Sequence, residues 1–128
     1  MGKAVTILMV DDDPFILTAT AQLLRSSGYD VQTCEQWMGV ALVVREAEPD
    51  LILMDYNMPG LKGDELCRIL KRNALGSQMR IVIFSSEPES DLVRICAESG
   101  ADGYLRKNVP GHVLLESLES HLSELAVA

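Results

Sequence analysis

The chain has 128 residues, 48% hydrophobic and 23% charged, with a net charge of −8 at neutral pH. A single domain of this size buries roughly two thirds of its unfolded surface. The acid excess argues against sequence-independent nucleic-acid binding, which needs lysines and arginines to displace counterions. No apolar stretch reaches the roughly 18 residues that span a bilayer.

Val5 to Val10 reads as a buried strand, followed by Asp11, Asp12 and Asp13. Asp13 stands where an N-cap belongs and Pro14 at the first helical position. They open a helix through Phe15, Leu17, Leu23 and Leu24 that Gly28 closes. Val31 to Cys34 is a short second strand, and a valine-rich helix follows over Met38 to Ala47. Leu51 to Met54 forms a third strand ending on Asp55. A helix begins at Gly63, with Leu66, Ile69 and Leu70 expected on its apolar face. Arg80 to Phe84 is the fourth strand, Glu89 to Glu98 a helix, and Asp102 to Leu105 the fifth strand. After Pro110-Gly111 a last helix places Val113, Leu114, Leu118, Leu122 and Leu125 on one side.

Five strand–helix repeats with short connections predict an α/β fold, a parallel sheet covered by helices on both faces. Residues 1–128 read as one domain with no output domain attached. The chain runs straight from Met1-Gly2-Lys3 into a strand, so no secretory leader is expected and the location predicted is cytoplasmic. Cys34, Cys67 and Cys96 are odd in number and widely spaced, which suits reduced thiols. His112 and His121 are expected as plain surface residues.

In open parallel sheets, ligands bind beyond the carboxyl ends of the strands. Asp11 and Asp12 follow the first strand, Asp55 the third, Ser85 the fourth and Lys107 the fifth. Alone, Asp55 is as consistent with capping a turn. Carboxylates gathered in one crevice repel and raise each other's pKa values, so a divalent cation, a lysine or both must neutralise them.

This pattern resembles the receiver domain of two-component response regulators: Asp11-Asp12, Asp55 with Met58-Pro59 and Gly63 behind it, Ser85, Tyr104 and Lys107. The resemblance implies a flavodoxin-like doubly wound five-stranded sheet of order 2-1-3-4-5 with five helices. It implies that Asp55 accepts a phosphoryl group from a sensor histidine kinase or a histidine phosphotransfer protein. Mg²⁺ would be held by Asp12, Asp55 and the backbone carbonyl of Asn57, with Asp11 acting through water. Lys107 would pair with the phosphoryl oxygens, Ser85 would be the switch hydroxyl and Tyr104 the switch aromatic. The surface of the fourth helix, fifth strand and fifth helix, including Arg106, would report the state to a protein effector or output domain. No direct nucleic-acid binding, no membrane insertion, and a monomer or weak homodimer are expected. Asn57 and Glu87 flank the route of attacking water.

One residue departs from the family pattern. Asn108 follows Lys107 where relatives usually have a cis proline, and a cis bond before a non-proline residue costs about 2.5–4 kcal/mol. A trans Lys107–Asn108 bond is therefore predicted. Two rival readings stay open. Asp11-x-Asp13 resembles the opening motif of haloacid-dehalogenase-like phosphatases, which would make the chain an enzyme. A binding module with the receiver fold but no phosphate chemistry is the other.

Overall fold

A computed structural model of the chain describes residues 4–60, 62–72 and 79–127. In chain order these form β1 (Thr6–Val10), α1 (Pro14–Ser26), β2 (Asp30–Cys34), α2 (Val40–Ala47) and β3 (Leu51–Asp55). They continue with α3 (Gly63–Arg72), β4 (Arg80–Ser85), α4 (Glu89–Ser99), β5 (Gly103–Arg106) and α5 (Gly111–Val127). All strand pairs are parallel, and the sheet order is β2-β1-β3-β4-β5, as the resemblance implied.

Period-two alternation splits the core into two layers. Ile7 and Met9 of β1, Leu51 and Leu53 of β3 and Val82 and Phe84 of β4 meet Leu17, Ala21 and Leu24 of α1 and Leu114 and Leu118 of α5. Leu8, Val10, Ile52, Met54, Ile81 and Ile83 face the other way. They pack with Val40 and Val44 of α2, Leu66, Cys67 and Leu70 of α3 and Leu92 and Ile95 of α4. Burial on both faces explains why these strands are continuous apolar runs.

Asp13 caps α1 as predicted, its Oδ1 accepting from the backbone N–H of Phe15 at 2.9 Å and of Ile16 at 3.4 Å. Four expectations are corrected. The second helix starts at Val40, because Gly39 is left-handed at φ +86 and breaks the turn before it. Ile69 is 37% exposed, and Cys67 takes its place in the core beside Leu66 and Leu70. His121 is half-buried with its ring against Gly103, and its Nδ1 has no hydrogen-bond partner among the described residues. The side chain of Leu125 lies outside the described residues.

The fourth correction concerns Asp102, which precedes β5 instead of opening it. Its Oδ2 accepts from the Ile81 N–H at 2.7 Å and from Lys71 Nζ at 2.8 Å, and its own N–H donates to the Ile81 carbonyl at 2.7 Å. Arg80 Nη1 stands 3.6 Å from the other oxygen. The carboxylate thus clips α3, β4 and β5 together at the amino end of the sheet, opposite the crevice. Asp102→Ala removes the acceptor from a backbone donor and an ammonium, at an expected cost of about 2–3 kcal/mol in urea denaturation. A change below about 0.5 kcal/mol, as at ordinary surface sites, would contradict this role.

Candidate functional site

Strand register levels the carboxyl ends of the sheet. Val10 pairs with Cys34 on one side and Met54 on the other, Asp55 with Phe84, and Ser85 with Arg106. The residues at and just past these ends line one open pocket of about 340 Å³. Asp11, Asp12, Asp55, Asn57, Ser85 and Lys107 all line it, together with Asp13, Ser86 and Glu87. Asp11, Asp55 and Ser85 are buried and Asp12 is exposed.

Lys107 is the centre of charge. Its Nζ lies 2.7 Å from Asp11 Oδ2 and 3.1 Å from Asp55 Oδ1, above the Phe84 ring with 5.6 Å to the centroid. Its N–H donates to the Ser85 carbonyl at 3.0 Å, extending the β4–β5 pairing past the strand end. That bond anchors the lysine backbone without a cis proline. Among the described residues there are no cis peptide bonds, so the Lys107–Asn108 bond is trans, as predicted.

Burial pushes the Asp55 carboxyl up from an ordinary 3.8 to about 6; Lys107 opposes that shift and Asp11 adds to it. Burial alone would lower the Lys107 pKa, but Asp11 and Asp55 outweigh it and hold the ammonium above its ordinary range. Asp11 Oδ1 accepts from the Asp13 N–H at 2.9 Å. Its Oδ2 is buried, with the Lys107 ammonium 2.7 Å away.

Asp11, Asp12 and Asp55 each offer an oxygen within 4.8 Å of the others. An all-oxygen set of two buried carboxylates and one exposed carboxylate suits Mg²⁺. That ion takes a few carboxylates and keeps several waters. The donor set therefore fits the ion.

The rim of the pocket is tied across. Asn57 Nδ2 donates to Glu87 Oε1 at 3.2 Å, and the Glu87 N–H donates to Ser85 Oγ at 3.1 Å. The Asn57 N–H reaches Asp55 Oδ1 at 3.4 Å. Tyr104 stands apart from this group. It is half-buried against the α2–α4 layer, and its hydroxyl donates to Glu89 Oε1 at the start of α4. Trp37, which no motif singled out, packs its indole on Gly60 in the loop after Asp55. Its one signal in the sequence is that it is the chain's single tryptophan.

Residues 7–119 match the family model described as "Response regulator receiver domain". The chain belongs to this family, the receiver domains of two-component response regulators. It is 36% identical over 101 residues to the DNA-binding response regulator MtrA of Mycolicibacterium smegmatis, covering 79% of this chain and 43% of that protein. It is 35% identical over 122 residues to the phosphate regulon transcriptional regulatory protein PhoB of Pseudomonas aeruginosa, covering 95% and 52%. The chain thus spans about half the length of the curated relatives it matches.

Among solved structures, a CheY-like receiver domain protein from Methanospirillum hungatei JF-1 superposes with a TM-score of 0.86 at 27% identity, covering 97% of this chain and 98% of that one. The chemotaxis response regulator CheY4 of Vibrio cholerae shares the fold, with a TM-score of 0.85 at 24% identity over 92% and 98%. Membership implies phosphorylation-dependent signalling, and the family typically binds Mg²⁺ at an acidic pocket. The relatives are named as regulators, not as enzymes. No helix among the described residues is long and apolar enough to cross a membrane.

Proposed function

We propose that Asp55 accepts a phosphoryl group from the phosphohistidine of a sensor kinase or phosphotransfer protein in the cytoplasm. The observation that carries this is the joint reach of Lys107 to Asp11 and Asp55 across three strand ends. A carboxylate is a competent nucleophile toward phosphorus. With a pKa near 6, Asp55 is mainly ionised at neutral pH and more basic than an ordinary aspartate. As its O–P bond forms, the P–N bond of the donor breaks, and the imidazole leaves with the bonding pair.

Lys107 meets the charge on the phosphoryl oxygens as a compact ammonium. Ser85 Oγ already accepts from Glu87, which leaves its own proton to donate to the same group. Mg²⁺, when bound, would screen the two anions as they meet. Asp12, Asp55 and the Asn57 carbonyl would hold the ion, with Asp11 acting through water. Attack by water then releases phosphate and restores the carboxylate. Asn57 and Glu87, joined across the rim, stand where they would control that attack.

The acyl phosphate adds about 1.5–2 negative charges at neutral pH. Ser85 turning toward it lets Tyr104 leave Glu89 and move inward, a shift between two existing states. The α4–β5–α5 surface, with Arg106, then presents a different face to a protein effector or output domain. The phosphatase reading leaves the segment from Asp55 to Gly63 unexplained, and Asp13 Oδ1 is engaged by the α1 cap. Two assays separate the readings. Acetyl phosphate with Mg²⁺ should add one phosphoryl group per chain, and a chelator should abolish the addition. An aryl phosphate should give no multiple turnover; steady turnover would favour the enzyme.

A further inference from the structure

We infer that Trp37 is a positioning residue for the acidic pocket, setting the spacing between its two arms through Gly60. This rests on the proposed Mg²⁺ site. One arm is Asp11-Asp12 at the end of β1; the other is the loop from Asp55 through Asn57 to Gly60. The segment from Cys34 to Trp37 touches both. At one end the Asp11 N–H donates to the Cys34 carbonyl at 3.1 Å. At the other the Trp37 indole lies on Gly60, where an added Cβ would stand 2.8 Å from Nε1 and 3.7 Å from Cδ1.

Gly60 is needed twice over at this contact. Its φ of +88 suits glycine, and its open face is filled by the indole. The strap is itself anchored. The Trp37 carbonyl accepts from the Val40 N–H at 3.2 Å, and the ring packs against the core layer that holds Val40 and Met58. Met58, buried in the same loop as Gly60, holds that loop from the core side. Trp37 closes it from the side of β2.

The two arms carry like charges that repel one another. Lys107 draws the carboxylates together by charge, but an ammonium on a flexible stem fixes no distance. The strap supplies a packed constraint between the arms, where a divalent ion with strict geometry requires one. Outer groups that orient metal ligands typically change affinity by 10–100-fold when removed.

The test is Mg²⁺ binding to the full chain by titration calorimetry, with folding of every variant checked by thermal denaturation. Trp37→Ala and Gly60→Ala are each expected to weaken Mg²⁺ binding about tenfold. Trp37→Phe, which keeps an aromatic ring on Gly60, should recover most of the affinity. Gly28→Ala carries similar backbone strain, at φ +96, in open space at the far end of the sheet. It should bind Mg²⁺ like wild type. In wild type the fluorescence of Trp37 should change on adding Mg²⁺, and Gly60→Ala should shift or flatten that response.

Folded Trp37→Ala and Gly60→Ala that bind Mg²⁺ as tightly as wild type would overturn the inference and leave the metal site standing. So would a Gly28→Ala loss equal to theirs. If wild type itself binds no Mg²⁺, the metal site fails and the inference falls with it.

Discussion

Lys107→Met is expected to destabilise the metal-free protein by about 2–4 kcal/mol at neutral pH, and Mg²⁺ should restore most of the loss. Methionine keeps most of the length of the stem over Phe84 and removes only the charge and its donors. Two carboxylates, with side chains only 2% and 8% exposed, then face each other without a countercharge. Proton uptake by Asp55, already poised near 6, limits the cost. The pH dependence follows from the raised lysine pKa. Its stabilising contribution is fully present below the ordinary 10.5 and is lost as pH rises through the higher folded value. In acid the contribution also shrinks, as the Asp55 carboxylate protonates. Urea denaturation of both proteins, with chelator and with Mg²⁺, measures this directly. A variant as stable as wild type in chelator would mean that Lys107 does not neutralise the pocket.

Asp55→Asn should act in the opposite direction, stabilising the metal-free protein by roughly 1–3 kcal/mol at neutral pH. Burial, with help from Asp11, raises the folded pKa of Asp55 from 3.8 to about 6, so the folded state prefers the protonated acid. The contribution of this group is therefore fully present below about 3.8 and is lost as pH rises through about 6. Above that range the ionised carboxylate is a net liability, and asparagine removes it while keeping the shape. Lys107 keeps Asp11 as its partner. The gap between variant and wild type should close as pH falls toward 4. Mg²⁺ should narrow it from the other side, by stabilising wild type more than the variant. Destabilisation by Asp55→Asn in chelator at neutral pH would contradict the picture of an acceptor held under electrostatic strain.

The sheet was legible because β1, β3 and β4 are short apolar runs that end on, or are followed by, a polar residue. In a parallel sheet those ends must share an edge. Shared strand ends bring Asp11, Asp12, Asp55, Ser85 and Lys107 together from the sequence alone, and Asp13 declares itself by standing before Pro14. Local errors have local causes. Met38 and Gly39 extend the helical pattern in sequence, because nothing in it reveals the left-handed φ of Gly39. Asp102 adjoins β5 in sequence, and the bonds to Ile81 that hold it just before the strand are long-range contacts with no local signal.

Contacts between distant segments were less legible. Ile69 and Cys67 are both apolar and lie two apart on α3, and only the seat of the helix on the sheet decides which is buried. His121 reads as a surface residue until Gly103 is found beneath its ring. The same holds for Trp37 on Gly60, where neither residue belongs to a motif. Tyr104 was singled out by resemblance, yet nothing local predicted its hydrogen bond to Glu89.

Asp55 is the residue proposed to carry the phosphoryl group. Mass spectrometry of wild type and Asp55→Ala, each incubated with acetyl phosphate and Mg²⁺, tests it most directly. One added phosphoryl group is expected on wild type, lost with chelator, and none on Asp55→Ala. An unlabelled wild type, or equal labelling of the two proteins, would contradict it.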